Sequence, residues 1–350
     1  MPRAKKAATS ESADQVEAPI VTYKGFNPDM TCRDFHYEIG KPYAISGKII
    51  ACENGFHACE HPLGVLGHYG PATSVYAVTE QRGPFARQAG STDTKVASAE
   101  ITVTMRIELP ELIAAAVKYV FDRAKWISGS FATGDGEGVK ATKDRGAATA
   151  SGDWGAATAS GYQGAATASG TQGAATASGY QGAATASGTQ GAATASGTQG
   201  AATASGWWSA ATASGTQGAA TASGDWGAAT ASGTQGAATA SGTQGAATAS
   251  GYQGAATASG TQGAATASGR QGAATASGTQ GAATASGTQG AATASGFEGK
   301  ARGKDGCALF LVERSTSGKI LHAWAGIAGR DGIKPDTFYR LVDGKPVEVA

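Results

Sequence analysis

Gly146-Ala147-Ala148-Thr149-Ala150-Ser151-Gly152-Asp153-Trp154 opens a run in which one nine-residue unit recurs seventeen times, without insertion or deletion, through Gly290-Ala291-Ala292-Thr293-Ala294-Ser295-Gly296-Phe297-Glu298. The opening Gly is replaced once, by Ser209, while the last two positions vary among Thr-Gln, Tyr-Gln, Asp-Trp, Trp-Trp, Arg-Gln and Phe-Glu. A unit this short buries nothing alone, so stability has to come from stacking on its neighbours. Ala-Ala-Thr-Ala-Ser is the length of one strand, and the flanking glycines supply the backbone freedom that corners need. The sequence predicts a parallel β-solenoid.

Side chains alternate along a strand, which places Ala148 and Ala150 on one face and Ala147, Thr149 and Ser151 on the other. The all-alanine face is the interior, because burying an unpartnered hydroxyl costs about 1–3 kcal/mol. Alanine buries little area, so the opposed sheets are expected closer than the usual ~10 Å, with stability drawn from backbone hydrogen bonds and close packing.

The exceptions at the corners set the number of copies per coil. Tyr162, Tyr180, Tyr252 and Arg270 fall in even-numbered copies, whereas Asp153, Trp207, Asp225 and Phe297 fall in odd-numbered ones. Two copies per 18-residue coil put these sets on separate edges of a two-sheeted roll. At ~4.8 Å per stacked strand such a rod is roughly 40 Å long. A flexible Gly/Ala/Ser linker is the competing reading, opposed by the strict phase. A helix would carry two glycines per nine residues, each costing about 1 kcal/mol, and collagen needs Gly at every third position.

Around the repeat the chain divides into an arm (1–19), a small α+β domain (20–127), an adaptor or irregular first coil (128–145) and a β-rich C-terminal cap (299–350). The arm is polar and mildly basic with no apolar core, so it reads as disordered and not as a signal peptide. Val21–Phe26, Tyr43–Ile45, Ser74–Val78 and Val96–Ile107 read as strands, and Pro110 opens a helix over Glu111–Phe121 with Leu112, Ile113, Ala116, Val117 and Val120 on its apolar side. In the tail, Cys307–Glu313, Ile320–Trp324, Phe338–Leu341 and Pro346–Val349 read as strands, the last two joined through the hairpin pair Asp343-Gly344. A folded unit at each end of a solenoid would cover edges that invite fibre growth.

The segments Tyr23-Lys24-Gly25-Phe26, Gly55-Phe56-His57-Ala58-Cys59-Glu60-His61-Pro62 and Ile333-Lys334-Pro335-Asp336-Thr337-Phe338-Tyr339 resemble an uncharacterised family of phage and prophage proteins. Its members look like this chain in layout, with an N-terminal domain, a Gly/Ala/Ser-rich middle and a short C-terminal domain. The resemblance implies a bacterial or bacteriophage origin, in the host cytoplasm or the virion, with phage structural proteins as partners, and implies no activity. The middle is more loosely similar to head repeats of trimeric bacterial adhesins, whose period is longer.

The densest group of chemically capable side chains is Cys52, His57, Cys59 and His61. An extended 57–61 would align three of them, and with Cys52 they offer four ligands to zinc; the other reading is a structural cluster with Cys59 buried. The spacing matches no standard zinc motif, and free thiols are expected in place of disulfides. Phosphate-binding Gly-Lys-Ser/Thr loops, Gly-x-Ser-x-Gly elbows and His-Glu-x-x-His are lacking. Gly134-Asp135-Gly136-Glu137-Gly138 reads as a surface turn, and calcium rolls would need Asp at every corner, not only Asp153 and Asp225. No enzyme is expected. A net charge of +1 gives no argument for nucleic acid, and no apolar run is long enough to span a membrane.

Two surfaces remain. Thr149, Ser151, Thr167, Ser169, Thr185 and Ser187 would form a flat hydroxyl lattice suited to ice or a polysaccharide, or simply a soluble β face. Tyr162, Tyr180, Trp207, Trp208, Trp226 and Tyr252 at the corners can stack on sugars, mediate assembly or cover backbone. Flat faces of small residues also permit self-association.

Overall fold

The structure, a computed structural model, describes residues 18–87 and 94–349; most of the N-terminal arm lies outside the described residues. Its centre is a parallel β-solenoid of about ten coils. Each copy supplies one four-residue strand, Ala147–Ala150 in the first and Ala291–Ala294 in the last. Odd-numbered copies pair only with odd-numbered ones and even with even, in register at 18-residue steps, as in Ala147 with Ala165 and Ala156 with Ala174. The roll expected from the corner exceptions is therefore the one formed. We refer to its two walls as the odd sheet and the even sheet.

Ala148 and Ala150 and their equivalents in every later copy are almost wholly buried, in one continuous alanine core. Methyl groups bury little area, so the backbone must hold the coils together. At the corner, Gly155 N–H donates to the carbonyl of Gly152 at 3.1 Å, closing a four-residue turn, and Trp154 carries it with φ 62°. The turn's first glycine is fixed by contact between coils. A Cβ on Gly170 would lie 2.1 Å from the carbonyl oxygen of Gly152 on the previous coil, and the same clash recurs at 1.6–2.1 Å from Gly179 to Gly296. The glycine that opens each copy is less confined: a Cβ at Gly236 meets its nearest atom at 3.0 Å. This explains why the one substitution, Ser209, falls at the opening position.

Glutamines reinforce the even edge. Arg145 Nε donates to Gln163 Oε1, and Gln163, Gln181, Gln199, Gln217, Gln235, Gln253, Gln271 and Gln289 then form one ladder, each amide donating to the next at 2.8–3.5 Å. Such ladders align each layer on the one below.

The N-terminal domain is a small antiparallel sheet closed on itself. Ile20–Phe26 pairs with Phe56–Cys59 and Val75–Arg87, and Lys95–Ile107 pairs with both of those strands. Pro42–Ala44 adds to the long strand Lys95–Ile107. The strand Phe56–Cys59 and the 3-10 helix Pro62–Gly67 that follows were not foreseen. The helix, Leu109–Arg123, buries Leu112, Ile113, Ala116 and Val120.

That helix overturns the picture of a rod with a globular unit at each end. The N-terminal domain lies along the flank: Val120 packs on Ala156 and Ala174, while Leu63, Leu66, Leu112 and Ile113 join Ala192, Ala210 and Ala228 in one core. The outer face of the even sheet is thus covered over its first half, where it carries the hydroxyls of Thr158, Thr176, Thr212 and Thr230, buried without a hydrogen-bond partner in the protein. The apolar residues of the helix pack on Leu63, Leu66, Tyr76 and Ile107 of their own domain and on the first alanine of the even copies.

The rod's own chain makes its ends. Lys125–Trp126 and Phe131–Ala132 begin the two sheets, and Glu137–Ala141 pairs in parallel with Ala156–Ala159. At the other end, Lys300–Gly303 and Ala308–Arg314 add one last parallel strand to each sheet, and then Phe338–Val342 and Ile320–Ile327 pair antiparallel onto them. Leu309, Leu311, Tyr339 and Leu341 extend the alanine core into the cap. Asp343 and Gly344, at φ 48° and 72°, form the expected tight hairpin turn.

The two corner glycines make a paired test. Gly233→Ser, whose Cβ would lie 1.9 Å from the carbonyl of Gly215, should destabilise the rod by about 3 kcal/mol or more. Gly236→Ser in the next copy should cost about 1 kcal/mol or less. Denaturant midpoints of the two variants against the parent measure the difference.

Candidate functional site

The corner aromatics separate into two sets. On the even edge Tyr162 and Tyr180 stack in parallel, ring centroids 5.2 Å apart, and Tyr252 donates its hydroxyl to Gln271; all three are exposed. On the odd edge the second corner position holds Trp154, Trp208 and Trp226, of which Trp154 and Trp208 meet the N-terminal domain. Trp208 packs against Gly67, where an added Cβ would meet its ring at 3.3 Å, and it leans on Trp226 with centroids 6.3 Å apart. Trp154 sits edge-on to His61 and tilted against Tyr119 of the helix. Between these tryptophans, Gln172 and Gln190 are buried, the amide of the first donating to the second at 2.6 Å. Trp208, offered by the sequence as a corner aromatic for sugars, assembly or backbone cover, thus packs on the N-terminal domain, with Trp226 beside it. Trp207, the first corner residue beside Trp208, points away and is 63% exposed.

The two corner aspartates have a structural use. Asp153 and Asp225 each accept, through Oδ1, the backbone N–H of the equivalent corner on the next coil, Thr171 and Thr243, at 2.8 Å.

The proposed zinc ligands do not converge. His61 lies in the seam with the rod, edge-on to Tyr119 at 5.3 Å and to Trp154 at 6.0 Å, with Nδ1 unbonded. Cys59 is buried against Leu63 and Leu66. His57 uses Nε2 to accept the N–H of Cys52 at 2.9 Å. Among the described residues no three His, Cys, Asp or Glu side chains are grouped as a metal site requires. The extended segment that would have aligned them ends at Cys59, and Pro62 starts a 3-10 helix.

Three of the four contribute to something else. His57, Cys52 and Cys59 line a cleft of about 820 Å³ in the N-terminal domain, together with Lys24, Cys32, Arg33, Asp34, Phe35, Tyr37, His68, Tyr69 and Lys95. Lys24 is 7% exposed; its ammonium donates to the carbonyl of His57 at 2.9 Å and lies 5.6 Å from the ring centres of Phe26 and Tyr37. Burial, followed by the charges of Lys24 and Lys95, holds the His57 imidazole below its usual pKa, with Arg33 adding to the effect. Burial also pushes the Tyr37 phenol up, and Tyr69 donates its hydroxyl to the Cys32 sulfur at 2.9 Å. Sequence reading missed this cleft because its lining comes from well-separated segments that share no motif; only the Gly55–Pro62 cluster gave a signal.

The hydroxyl lattice occupies the odd sheet. Ala147, Ala165, Ala183 and their equivalents through Ala273 are exposed, as are Ser151, Ser169 and Ser187, while Thr149, Thr167 and Thr185 are half-buried. This face is bare along the rod, in contrast to the even sheet.

In comparison with known proteins, a family described as a domain of unknown function (DUF7666) matches residues 20–115. The match covers the closed sheet and the start of the helix, so that an N-terminal domain of this type is present. No curated protein and no solved structure matches the chain. Among the described residues no helix is long and apolar enough to cross a membrane.

Trp208→Ala should loosen the N-terminal domain from the rod by about 3 kcal/mol, read as faster amide exchange in the helix 109–123, whereas Trp207→Ala should leave exchange there unchanged.

Burial, reinforced by Arg123, lowers the His61 pKa to about 3. Below the ordinary imidazole value near 6.5 the released or unfolded ring takes up a proton that the docked ring refuses, so stability is full above that value. It falls by about 1.4 kcal/mol for each pH unit toward about pH 3. Tryptophan fluorescence should report loosening on acidification, and His61→Phe should shift that transition to lower pH.

Proposed function

We propose that this chain is a non-enzymatic scaffold, in which the solenoid acts as a stiff rod that fixes the position of the N-terminal domain on its flank and carries a cap at one end. The observation that carries this reading is the seam between rod and domain. Trp154 and Trp208, two of the aromatic exceptions in the repeat, stand where the rod meets the domain, Trp154 against His61 and Tyr119 and Trp208 against Gly67. A rod whose irregularities are all tolerant spacers would have no need of them there. The rest of the repeat supplies rigidity, through an alanine core, in-register coils and glutamine ladders on both edges.

The resemblance of Tyr23–Phe26, Gly55–Pro62 and Ile333–Tyr339 to phage and prophage proteins supports a setting in a phage particle or a phage-encoded complex. Self-association through the bare odd sheet fits the same role.

A second reading rests on the asymmetry of the two walls. The odd sheet keeps its Ala-Thr-Ser lattice uncovered over the whole repeat, including Thr149, Ser151, Thr167, Ser169, Thr185 and Ser187, while the even sheet is partly roofed. A flat grid of hydroxyls and methyls suits ice or a polysaccharide. Thermal hysteresis in the purified protein would favour this reading, and its absence in folded protein would remove the ice surface.

Deletion separates rod from tether. Removing residues 254–271, one whole coil, should keep a cooperative fold and shorten the rod by ~4.8 Å. Removing residues 254–262 alone would exchange odd for even corners before the cap and should unfold the C-terminal end. Small-angle scattering and proteolysis compare the two, and mass spectrometry of virions from the producing host tests the particle setting.

A further inference from the structure

We propose that the cleft of the N-terminal domain binds a small anionic ligand that carries a planar ring, of the nucleoside phosphate class. This goes beyond the scaffold reading and does not depend on it. The cleft, at about 820 Å³, has the size of a small-molecule site. Among its described lining residues, the cations Lys24 and Arg33 stand with Asp34.

Lys24 is the least expected of these. A buried ammonium is normally paired with a carboxylate, yet among the described residues no carboxylate is ion-paired with Lys24. It is held instead by one backbone carbonyl and the faces of two rings. The arrangement preserves a positive charge at the wall of the cleft, where a phosphate could supply the missing counter-charge. Exposed Arg33 likewise has no ion pair among the described residues, and its guanidinium is suited to a phosphate.

The backbone fixes where these residues stand. Arg33, at φ 55°, opens the two-residue turn between the paired strands Thr31–Cys32 and Phe35–His36, and Cys52 lines the cleft at φ 67°. Cys52 N–H is in turn bonded to the ring of His57, so the cleft wall is braced.

A place for a ring is also present. Phe35 is 45% exposed in the lining, and its ring is held edge-on by Tyr37 at 4.8 Å and Tyr43 at 5.2 Å. An exposed aromatic face fixed by two others is a stacking platform. Cations with an adjacent ring select a ligand that has both parts.

The test titrates the full-length chain with the four common nucleoside diphosphates, with adenosine and with inorganic phosphate, by calorimetry. Saturable binding of at least one diphosphate below about 1 mM is expected, about tenfold or more tighter than adenosine or phosphate alone. Arg33→Gln, an exposed substitution, should weaken it about tenfold, and Phe35→Ala should weaken the nucleotide without affecting phosphate. Lys24→Met, checked for an unchanged cooperative melt, should abolish it. Should Lys24→Met fail to fold, Arg33→Gln decides. The assignment is overturned if no diphosphate binds by about 1 mM, if adenosine or phosphate binds as tightly, or if Arg33→Gln leaves affinity unchanged.

Discussion

Each coil of this protein rests on the previous one through bare backbone at a corner glycine, where there is no room for even a methyl group. The carbonyl of Gly152 occupies the position that a side chain on Gly170 would need, and the relation repeats along the rod. From this contact follow the other regularities. Corners this close bring the glutamine amides of successive coils within hydrogen-bond distance, and they hold the strands in an exact 18-residue register. With register fixed, alanine always faces alanine, and a core with little area per residue becomes continuous. A single inserted residue would turn threonines into that core, since one step along a strand exchanges its faces.

The repeat disclosed its architecture because its exceptions are informative. Period and alternation gave the strands and the interior alanines, and the segregation of Tyr162 and Tyr180 from Asp153 and Trp207 gave two copies per coil. The end strands of the cap and the helix 109–123 were readable from ordinary patterning. The lateral docking was not. Trp208 looks like any exposed corner aromatic until Gly67 is placed against it, and Gly67 lies more than a hundred residues away with no periodicity to point to it. Likewise, His61 reads as a ligand by residue type, and only tertiary packing shows its ring set between Tyr119 and Trp154. The cleft was legible only through the Cys/His cluster, whose members proved to be its wall.

Docking makes two chemically equal walls different. Both sheets carry the same Ala-Thr-Ser outer row, yet the helix and the 3-10 turn cover one and leave the other bare. The covered wall pays through its threonines, four of which keep hydroxyls buried without a protein partner. Each such group costs about 1–3 kcal/mol, so apolar contacts such as Leu63, Leu66 and Leu112 on Ala192 and Ala210, together with the tryptophans, must outweigh them. The seam is consequently less stable than its apolar area alone suggests, and the hydroxyls mark a wall that is built from the same unit as the exposed one and was not remade for burial.

A stack of parallel strands has no internal reason to stop, and here it is ended by a change of pairing. After Lys300–Gly303 and Ala308–Arg314 the next strands run antiparallel, so the surface offered beyond them no longer matches the coil. A register shift between Glu313 and Arg314 bends the last sheet, and Arg314 ties it back by donating to the carbonyls of Ser295 and Gly318. The starting end is limited differently, by strands of two residues, Lys125–Trp126 and Phe131–Ala132, with the Lys140 ammonium 4.4 Å from the Trp126 ring centre. Short, bent and charged edges are what discourage end-to-end growth in sheets generally. It is these edges, and not the globular domain, that keep the rod at a finite length, which frees the domain to lie on the flank.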